Sequence, residues 1–300
     1  MTDFFGLDAM MMSMKIMDSD EHIWEVGKAR MIVRNGKVVS VSDPLIKSCP
    51  IHYAIIGEER MSSESIRRAM ELKIKNYGLC TPDRLIENNC IAMGYGASET
   101  LATALSNKLI DCSVIVSDGA GTVITDKPEI VQGIGMMMSG LIKTSPIPAL
   151  IQRLEEKGVK VPSKDAVIDQ VAGVKEAFEM GYKMVGVTIS GDYAKSLIDI
   201  KKLEEDYGRD TLKIIVHSTG VSSDLIPYIQ MADIVTACAS KTIREIIGRQ
   251  DGVKIYGRKI PVYALSPFGK RIMNTQKDEI SKSKERRILK TSNDPPYPFI

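Results

Sequence analysis

The first clear hydrophobic pattern is a pair of alternating, β-branched runs in residues 29–42, with Asn35 and Gly36 between them. Asn-Gly tolerates the positive φ angles of a two-residue type I′ turn, so this segment predicts a β-hairpin. The polar segment that follows predicts a helix, which begins at Ser62 or the next residue and ends near Gly78. The N-terminal part of the chain is therefore expected to contain both strands and helices.

A regular alternation of strands and helices begins at residue 146 and continues to residue 268. Short apolar runs, such as residues 184–189 and 212–216, alternate with segments whose apolar residues have helical spacing. This order indicates parallel strands that are joined by right-handed crossovers. The sequence predicts an α/β fold, with a mostly parallel sheet and flanking helices, preceded by the N-terminal β-hairpin.

Changes in composition predict four regions, which are residues 1–19, 20–145, 146–272 and 273–300. The first is a methionine-rich arm, and the second is an N-terminal α/β lobe with the hairpin and glycine-rich segments. The third is a C-terminal βαβ lobe, and the last is a basic, proline-rich tail. Each end is either a solvated extension or a docking arm, since methionine adapts to irregular apolar surfaces and a basic arm fits an acidic one.

Charge, hydrophobicity and cysteine content argue against several classes of protein for this chain. Lys and Arg number 40 against 38 Asp and Glu, so the net charge of +2 argues against a dedicated nucleic-acid binder. No apolar run approaches the roughly 18 residues that span a bilayer, and the N-terminus lacks the basic start of a secretory signal. Five cysteines without close pairs do not form a disulfide framework, which indicates a reducing cytoplasm.

Two reactive side chains follow two predicted strands of the C-terminal region. His217 comes directly after residues 212–216, and Cys238 comes directly after residues 234–237. Ligands bind outside the carboxyl ends of parallel strands, and adjacent strands lie about 4.8 Å apart. If these two strands are neighbours, the side chains form a candidate nucleophile pair or half of a metal site. A buried cysteine and a hydrogen-bonded histidine at strand ends are the structural alternative.

Asp118 follows another apolar strand, where a carboxylate can act as a base, hold a metal or cap a turn. Together with His217 and Cys238 it completes the predicted catalytic set. Glu99 stands where a dinucleotide fingerprint has a third glycine or alanine, so the nearby glycines depart from that fingerprint. The candidate cofactor-binding residues are Gly94, Gly96, Gly119, Gly121 and Lys241.

Three cysteines fall in predicted loops or at strand ends, namely Cys49, Cys80 and Cys238. Three thiolates can hold an iron–sulfur cluster with one open iron, although no Cys-x-x-Cys spacing demands it. Iron–sulfur binding at these cysteines is therefore one cofactor hypothesis. The sequence leaves open whether they bind any metal.

The chain contains several long sequence motifs. In chain order they are Lys47-Ser-Cys-Pro50, Tyr77-Gly-Leu-Cys-Thr-Pro-Asp-Arg84, Gly96-Ala-Ser-Glu99, Asp118-Gly-Ala-Gly-Thr-Val, Val131-Gln-Gly-Ile-Gly and Val235-Thr-Ala-Cys-Ala-Ser-Lys241. Through these motifs the chain resembles the methanogenesis marker protein 8 family, a family of unknown function from methanogenic archaea. The resemblance covers roughly residues 20–270. It implies a link to methane metabolism and one candidate site that contains Cys49, Cys80, Asp83, Arg84, Glu99, Asp118, Cys238 and Lys241.

Two classes of function follow, and the sequence does not decide whether the chain is an enzyme. The resemblance implies a cytoplasmic accessory or maturation factor for the methyl-coenzyme M reductase system, which docks onto a protein partner. The strand-end residues instead indicate a small α/β enzyme that acts on a phosphorylated or thiol-bearing metabolite through Asp118, His217 and Cys238. The lack of a complete cofactor motif favours the accessory factor, and the oligomeric state stays open.

Overall fold

The computed structural model describes residues 20–90, 93–282 and 290–300. The predicted methionine-rich arm and part of the predicted basic tail lie outside the described residues. The described ranges form two β-sheets and ten α-helices, which confirms the α/β class. None of these helices is long and apolar enough to cross a membrane.

The first sheet is antiparallel and has four strands in the order β3-β2-β1-β6. Asn35 and Gly36 have φ angles of 48° and 66°, which confirms the predicted hairpin between the second and third strands. A strand from far along the chain closes the sheet beside β1, so the hairpin belongs to a larger unit. The strands are β1 (Glu21–Val26), β2 (Ala29–Arg34), β3 (Lys37–Val41) and β6 (Leu141–Lys143).

Two helices accompany this small sheet, α1 (Pro50–Ile56) and α2 (Ser63–Tyr77). Ser62 caps the start of α2, and Gly78 ends it with a φ of 65°, as the sequence predicts. Apolar side chains of α2 and of the sheet share one core. This cluster includes Trp24, Met31, Ile66 and Met70.

The second sheet is mixed and has seven strands in the order β10-β11-β9-β8-β7-β4-β5. Strands β4, β7, β8 and β9 are parallel, as the alternation of strands and helices predicts for the last three. Their carboxyl ends therefore meet at one side, which we name the carboxyl edge. The strands are β4 (Cys112–Ser117), β5 (Gly121–Thr125), β7 (Met184–Ser190), β8 (Asp210–Val216), β9 (Ile234–Thr236), β10 (Lys254–Tyr256) and β11 (Val262–Ala264).

The expected parallel pairing is wrong for the last predicted strand. β11 lies between β9 and β10 and runs antiparallel to both. The connection after β9 leads to β10 at the outer edge, and a hairpin then returns the chain as β11. A strand that is entered from a hairpin runs in the opposite direction, and the apolar pattern of residues 260–265 does not reveal this.

The remaining helices cover both faces of the large sheet. One face packs against α3 (Ala97–Ser106), α4 (Pro128–Gly135), α5 (Pro148–Glu156) and α10 (Pro267–Lys282). The other packs against α6 (Gln170–Glu179), α7 (Leu197–Tyr207), α8 (Ile226–Ile229) and α9 (Lys241–Glu245). Successive residues such as Ile214 and Ile215 belong to opposite cores, as the pleat requires. Helix α10 runs across residue 272, where the composition predicts a boundary.

The small sheet lies over the carboxyl edge of the large one. Glu25 of β1 contacts His217, which follows β8. Thr144, which follows β6, accepts a hydrogen bond of 2.7 Å from the N–H of Gly119, which follows β4. Polar residues of the two sheets therefore meet where parallel sheets bind their ligands.

Candidate functional site

His217 and Cys238 follow the ends of adjacent parallel strands, β8 and β9, as the sequence predicts. Both have positive φ angles, 46° for His217 and 43° for Cys238. Such backbone is uncommon for residues other than glycine, and it clusters at functional sites. Both side chains are partly exposed. The carboxyl edge therefore places an imidazole and a thiol in two neighbouring turns.

Glu25 orients the ring of His217. Its Oε1 atom lies 2.9 Å from Nε2 of His217 and 3.0 Å from Nζ of Lys28. Burial raises the pKa of Glu25, but the hydrogen bonds from His217 and Lys28 outweigh it, so this pKa lies below its ordinary value. Because Nε2 of the ring is engaged, Nδ1 is the nitrogen that remains for a second partner.

Gly140 lets the connection into β6 pass close to this pair. Its φ is 73°, and a Cβ at this position would lie 2.8 Å from Cε1 of His217 and would overlap the carbonyl oxygen of Glu25. The N–H of Glu25 donates a hydrogen bond of 2.7 Å to the carbonyl of Gly140. A side chain at residue 140 would therefore push this strand away from the imidazole.

Asp118 follows β4, but its carboxylate is committed to other groups. Oδ1 accepts a hydrogen bond of 2.9 Å from Nε of Arg84, and Oδ2 accepts one of 2.5 Å from the N–H of Cys80. Both members of the ion pair are fully buried. Strand β7 separates β4 from β8, so the structure brings together two of the three predicted catalytic residues and sets Asp118 apart. The Arg84 guanidinium also donates to the carbonyls of Leu85, Gly133 and Ile134.

Lys73 of α2 is a buried cation near two of the candidate thiols. Its side chain is 8% exposed, and its ammonium donates one hydrogen bond, of 2.9 Å, to the carbonyl of Met137. In the part of the chain that the structure describes, it forms no ion pair with a carboxylate. Burial and the charge of Arg84 lower the pKa of Lys73 to about 8, while Cys49 and Cys80 act in the opposite sense.

The three thiols predicted as metal ligands differ in environment. Burial raises the pKa of the half-buried Cys49, and the charge of Cys238 adds to this effect. Burial, followed by the charge of Asp118, raises the pKa of the buried Cys80. Within the described ranges, no group of three His, Cys, Asp or Glu side chains is arranged to hold a metal ion. Cys49, Cys80 and Cys238 thus do not form a prepared ligand set for an iron–sulfur cluster.

The amides of two candidate cofactor-binding glycines, Gly96 and Gly119, donate hydrogen bonds to protein side chains. The N–H of Gly96 donates a hydrogen bond of 3.0 Å to Oε2 of Glu99, and the N–H of Gly119 donates one of 2.7 Å to Oγ1 of Thr144. A carboxylate at the start of α3 repels a phosphate. A cofactor role stays a prediction for all five residues, which are Gly94, Gly96, Gly119, Gly121 and Lys241.

Two residues of the site, Glu25 and Lys73, were not predicted from the sequence. A signal for Lys73 exists, because it shares the helical spacing of Ile66 and Met70 on the buried face of α2. A lysine on such a face is rarely buried without a reason. Glu25 has no comparable signal, because its partner His217 is 192 positions away in the chain.

Comparison with known proteins matches most of the chain. A family model described as an uncharacterized protein conserved in archaea, DUF2099, matches residues 22–277. An uncharacterized protein of Methanocaldococcus jannaschii is 41% identical over 270 residues, which cover 88% of this chain and 92% of that relative. The range that the family model matches contains Glu25, Lys73, His217 and Cys238. The chain therefore belongs to the DUF2099 family of proteins conserved in archaea.

Proposed function

We propose that the chain is an α/β enzyme that acts on an anionic metabolite, phosphorylated or thiol-bearing, at the carboxyl edge. The observation that carries the proposal is the 2.9 Å contact of Glu25 with His217, next to the strand that precedes Cys238. A base that is held by a carboxylate and placed near a thiol can activate a cysteine nucleophile. Cys238, His217 and Glu25 thus take the roles of nucleophile, base and orienting group.

The reaction begins with a proton transfer. Sγ of Cys238 gives its proton to Nδ1 of His217, and the thiolate forms a bond to the electrophilic atom of the substrate. The bond from that atom to its leaving group breaks, and His217 returns the proton to the leaving group. Water or a second thiol then displaces Cys238, which recovers a proton. Glu25 stabilises the imidazolium that forms between these steps.

The charge near the site favours a negatively charged substrate. Among the described residues, the buried ammonium of Lys73 bonds to the carbonyl of Met137 and to no carboxylate, and a buried cation is stabilised when an anion pairs with it. A phosphate or a thiolate of the substrate supplies that anion. Asp118 and Arg84 take a positioning role in this proposal, since their ion pair fixes the loop that carries Cys80.

Alkylation of Cys238 by iodoacetamide, followed by mass spectrometry of its peptide, tests the base. In the full chain at neutral pH, His217→Asn is expected to slow this labelling about tenfold, because the thiolate and not the thiol is the nucleophile. Glu25→Gln is expected to slow it by a smaller factor, since that change removes only the orienting group. The exposed Cys90 in the same samples is an internal control whose labelling stays constant. Equal rates at Cys238 in the wild type and in His217→Asn would contradict the proposal.

A second candidate function is an accessory or maturation factor for the methyl-coenzyme M reductase system, with a cytoplasmic protein partner. It is supported by the resemblance to the methanogenesis marker protein 8 family and by aromatic residues that stay exposed near the end of the chain, Tyr297 at 67% and Phe299 at 38%. Anaerobic purification with metal analysis and a pull-down tests it. Capture of a reductase subunit supports this candidate, and a metal-free chain that captures none contradicts it.

A further inference from the structure

The segment Tyr297–Ile300, which we name the tail segment, pairs with the protein by backbone hydrogen bonds at both ends. The N–H of Tyr297 donates a hydrogen bond of 3.0 Å to the carbonyl of Ser48, and the N–H of Ser48 donates one of 3.1 Å to the carbonyl of Tyr297. The N–H of Ile300 donates a hydrogen bond of 3.0 Å to the carbonyl of Ala239, and the N–H of Lys241 donates one of 2.9 Å to the carbonyl of Ile300. Extended peptides bind to proteins through reciprocal backbone pairs of this kind, and here the paired residues lie outside the strands of both sheets.

Side chains of the tail segment add to this pairing. The guanidinium of Arg244 lies 4.2 Å from the centre of the Phe299 ring, and its Nη2 donates 2.7 Å to the carbonyl of Cys238. The side chain of Ile300 is partly buried against the core cluster on which Cys49 also packs. Arg244 therefore connects the tail segment to the turn that presents the proposed nucleophile.

Both ends of the tail segment are bound beside a candidate thiol. Ser48 precedes Cys49, and Ala239 follows Cys238, so the residues that pair with the tail segment flank the two thiols. Both thiols are partly exposed, and the charge of Cys238 acts on Cys49. The four residues of the tail segment thus cross from the backbone beside one thiol to the backbone beside the other.

We propose that the tail segment is a reversible cover, which occupies a site for an extended peptide and limits access to Cys49 and Cys238. Its regulatory meaning rests on the proposed enzyme function, but the shielding of the thiols does not. The side chain of Tyr297 is 67% exposed and that of Phe299 38%, so no buried aromatic anchor fixes the cover in place. The match to the family model ends at residue 277, which leaves the tail segment outside the matched range.

Removal of residues 297–300 tests this cover. The shortened chain is expected to react with iodoacetamide about tenfold faster at Cys49 and Cys238, because the segment no longer shields the two partly exposed thiols. The free peptide Tyr-Pro-Phe-Ile, added in large excess, is expected to slow both reactions again. The exposed Cys90 reports general reactivity, and full-length Asp294→Asn controls for a change outside the tail segment.

A second variant keeps the test decisive if the shortened chain does not fold. Full-length Phe299→Ala loses the contact with Arg244 and is expected to label about threefold faster at both thiols. Unchanged labelling in the folded variants overturns the cover, and a free peptide without effect overturns the peptide site. Labelling of Cys49 does not depend on His217, so failure of this inference is distinguishable from failure of the proposed function.

Discussion

Oε1 of Glu25 lies 2.9 Å from Nε2 of His217, although the two residues are 192 positions apart in the chain. The contact joins the first strand of the small sheet to the turn after β8 of the large sheet. It forms only when both sheets are folded and packed against each other. The geometry of the imidazole therefore reports on the packing of the two sheets.

Glu25→Gln is expected to lower stability at neutral pH and to have a smaller effect in acid. The folded pKa of Glu25 lies below its ordinary value of 4.5, so its contribution is present above pH 4.5 and is lost as the pH falls through the folded pKa. At neutral pH the variant should lose about 1 kcal/mol, which is typical of a partly screened charged hydrogen bond. Urea unfolding of both proteins across this pH range measures the difference. A difference that does not change with pH would contradict this account.

Asp118→Asn is expected to destabilise the fold by about 3–5 kcal/mol, because it leaves the buried guanidinium of Arg84 without its counter-charge. Replacement of both residues, as Arg84→Met with Asp118→Leu, should recover part of that loss, since no charge remains buried. Arg34→Gln is the matched control, because its ion pair with Glu21 is solvent-exposed and should matter far less. Urea unfolding ranks the variants, and similar losses for Asp118→Asn and Arg34→Gln would refute the structural role of the buried pair.

Local signals in the sequence were sufficient for much of the fold. Asn35 and Gly36 identified the hairpin, because the turn type depends on two adjacent residues. Ser62 and Gly78 identified the ends of α2 for a similar reason. The sequence left the pairing of the strands before His217 and Cys238 as a condition, and the structure meets it, since parallel strands joined by helices commonly become neighbours.

Long-range contacts were not predictable in the same way. The pattern of residues 260–265 predicted a strand but not its direction, which depends on where the preceding strand is placed. The sequence predicts Asp118 as a catalytic residue because it follows a strand, yet its carboxylate accepts hydrogen bonds from Arg84 and from the N–H of Cys80, which lie in a separate loop. Glu25 reaches the site only because the small sheet packs over the carboxyl edge.

Lys73→Met is expected to abolish the rise in the free energy of unfolding that the wild type shows between pH about 8 and 10.5. Burial holds the pKa of Lys73 at about 8 in the folded protein, against 10.5 as its ordinary value. Between these two values the unfolded chain binds more protons than the folded one, so the free energy of unfolding of the wild type rises with pH. The methionine variant should lack this rise and should be at least as stable at neutral pH. Thermal or urea unfolding across the interval measures it, with Lys75→Met on the exposed face of α2 as the control.

Gly140→Ala is expected to destabilise the protein more than Gly208→Ala, although both glycines have left-handed backbone, with φ of 73° and 59°. A Cβ at Gly208 meets nothing within 4 Å, so this variant isolates the backbone penalty of about 1 kcal/mol. A Cβ at Gly140 meets the Glu25 carbonyl and the His217 ring, so about 1–3 kcal/mol more should be lost. Gly140→Ala should also slow alkylation of Cys238, because the displaced imidazole no longer serves as its base. If Gly140→Ala and Gly208→Ala are equally stable, or if Gly140→Ala leaves the alkylation rate of Cys238 unchanged, the position of the His217 ring does not depend on this close approach.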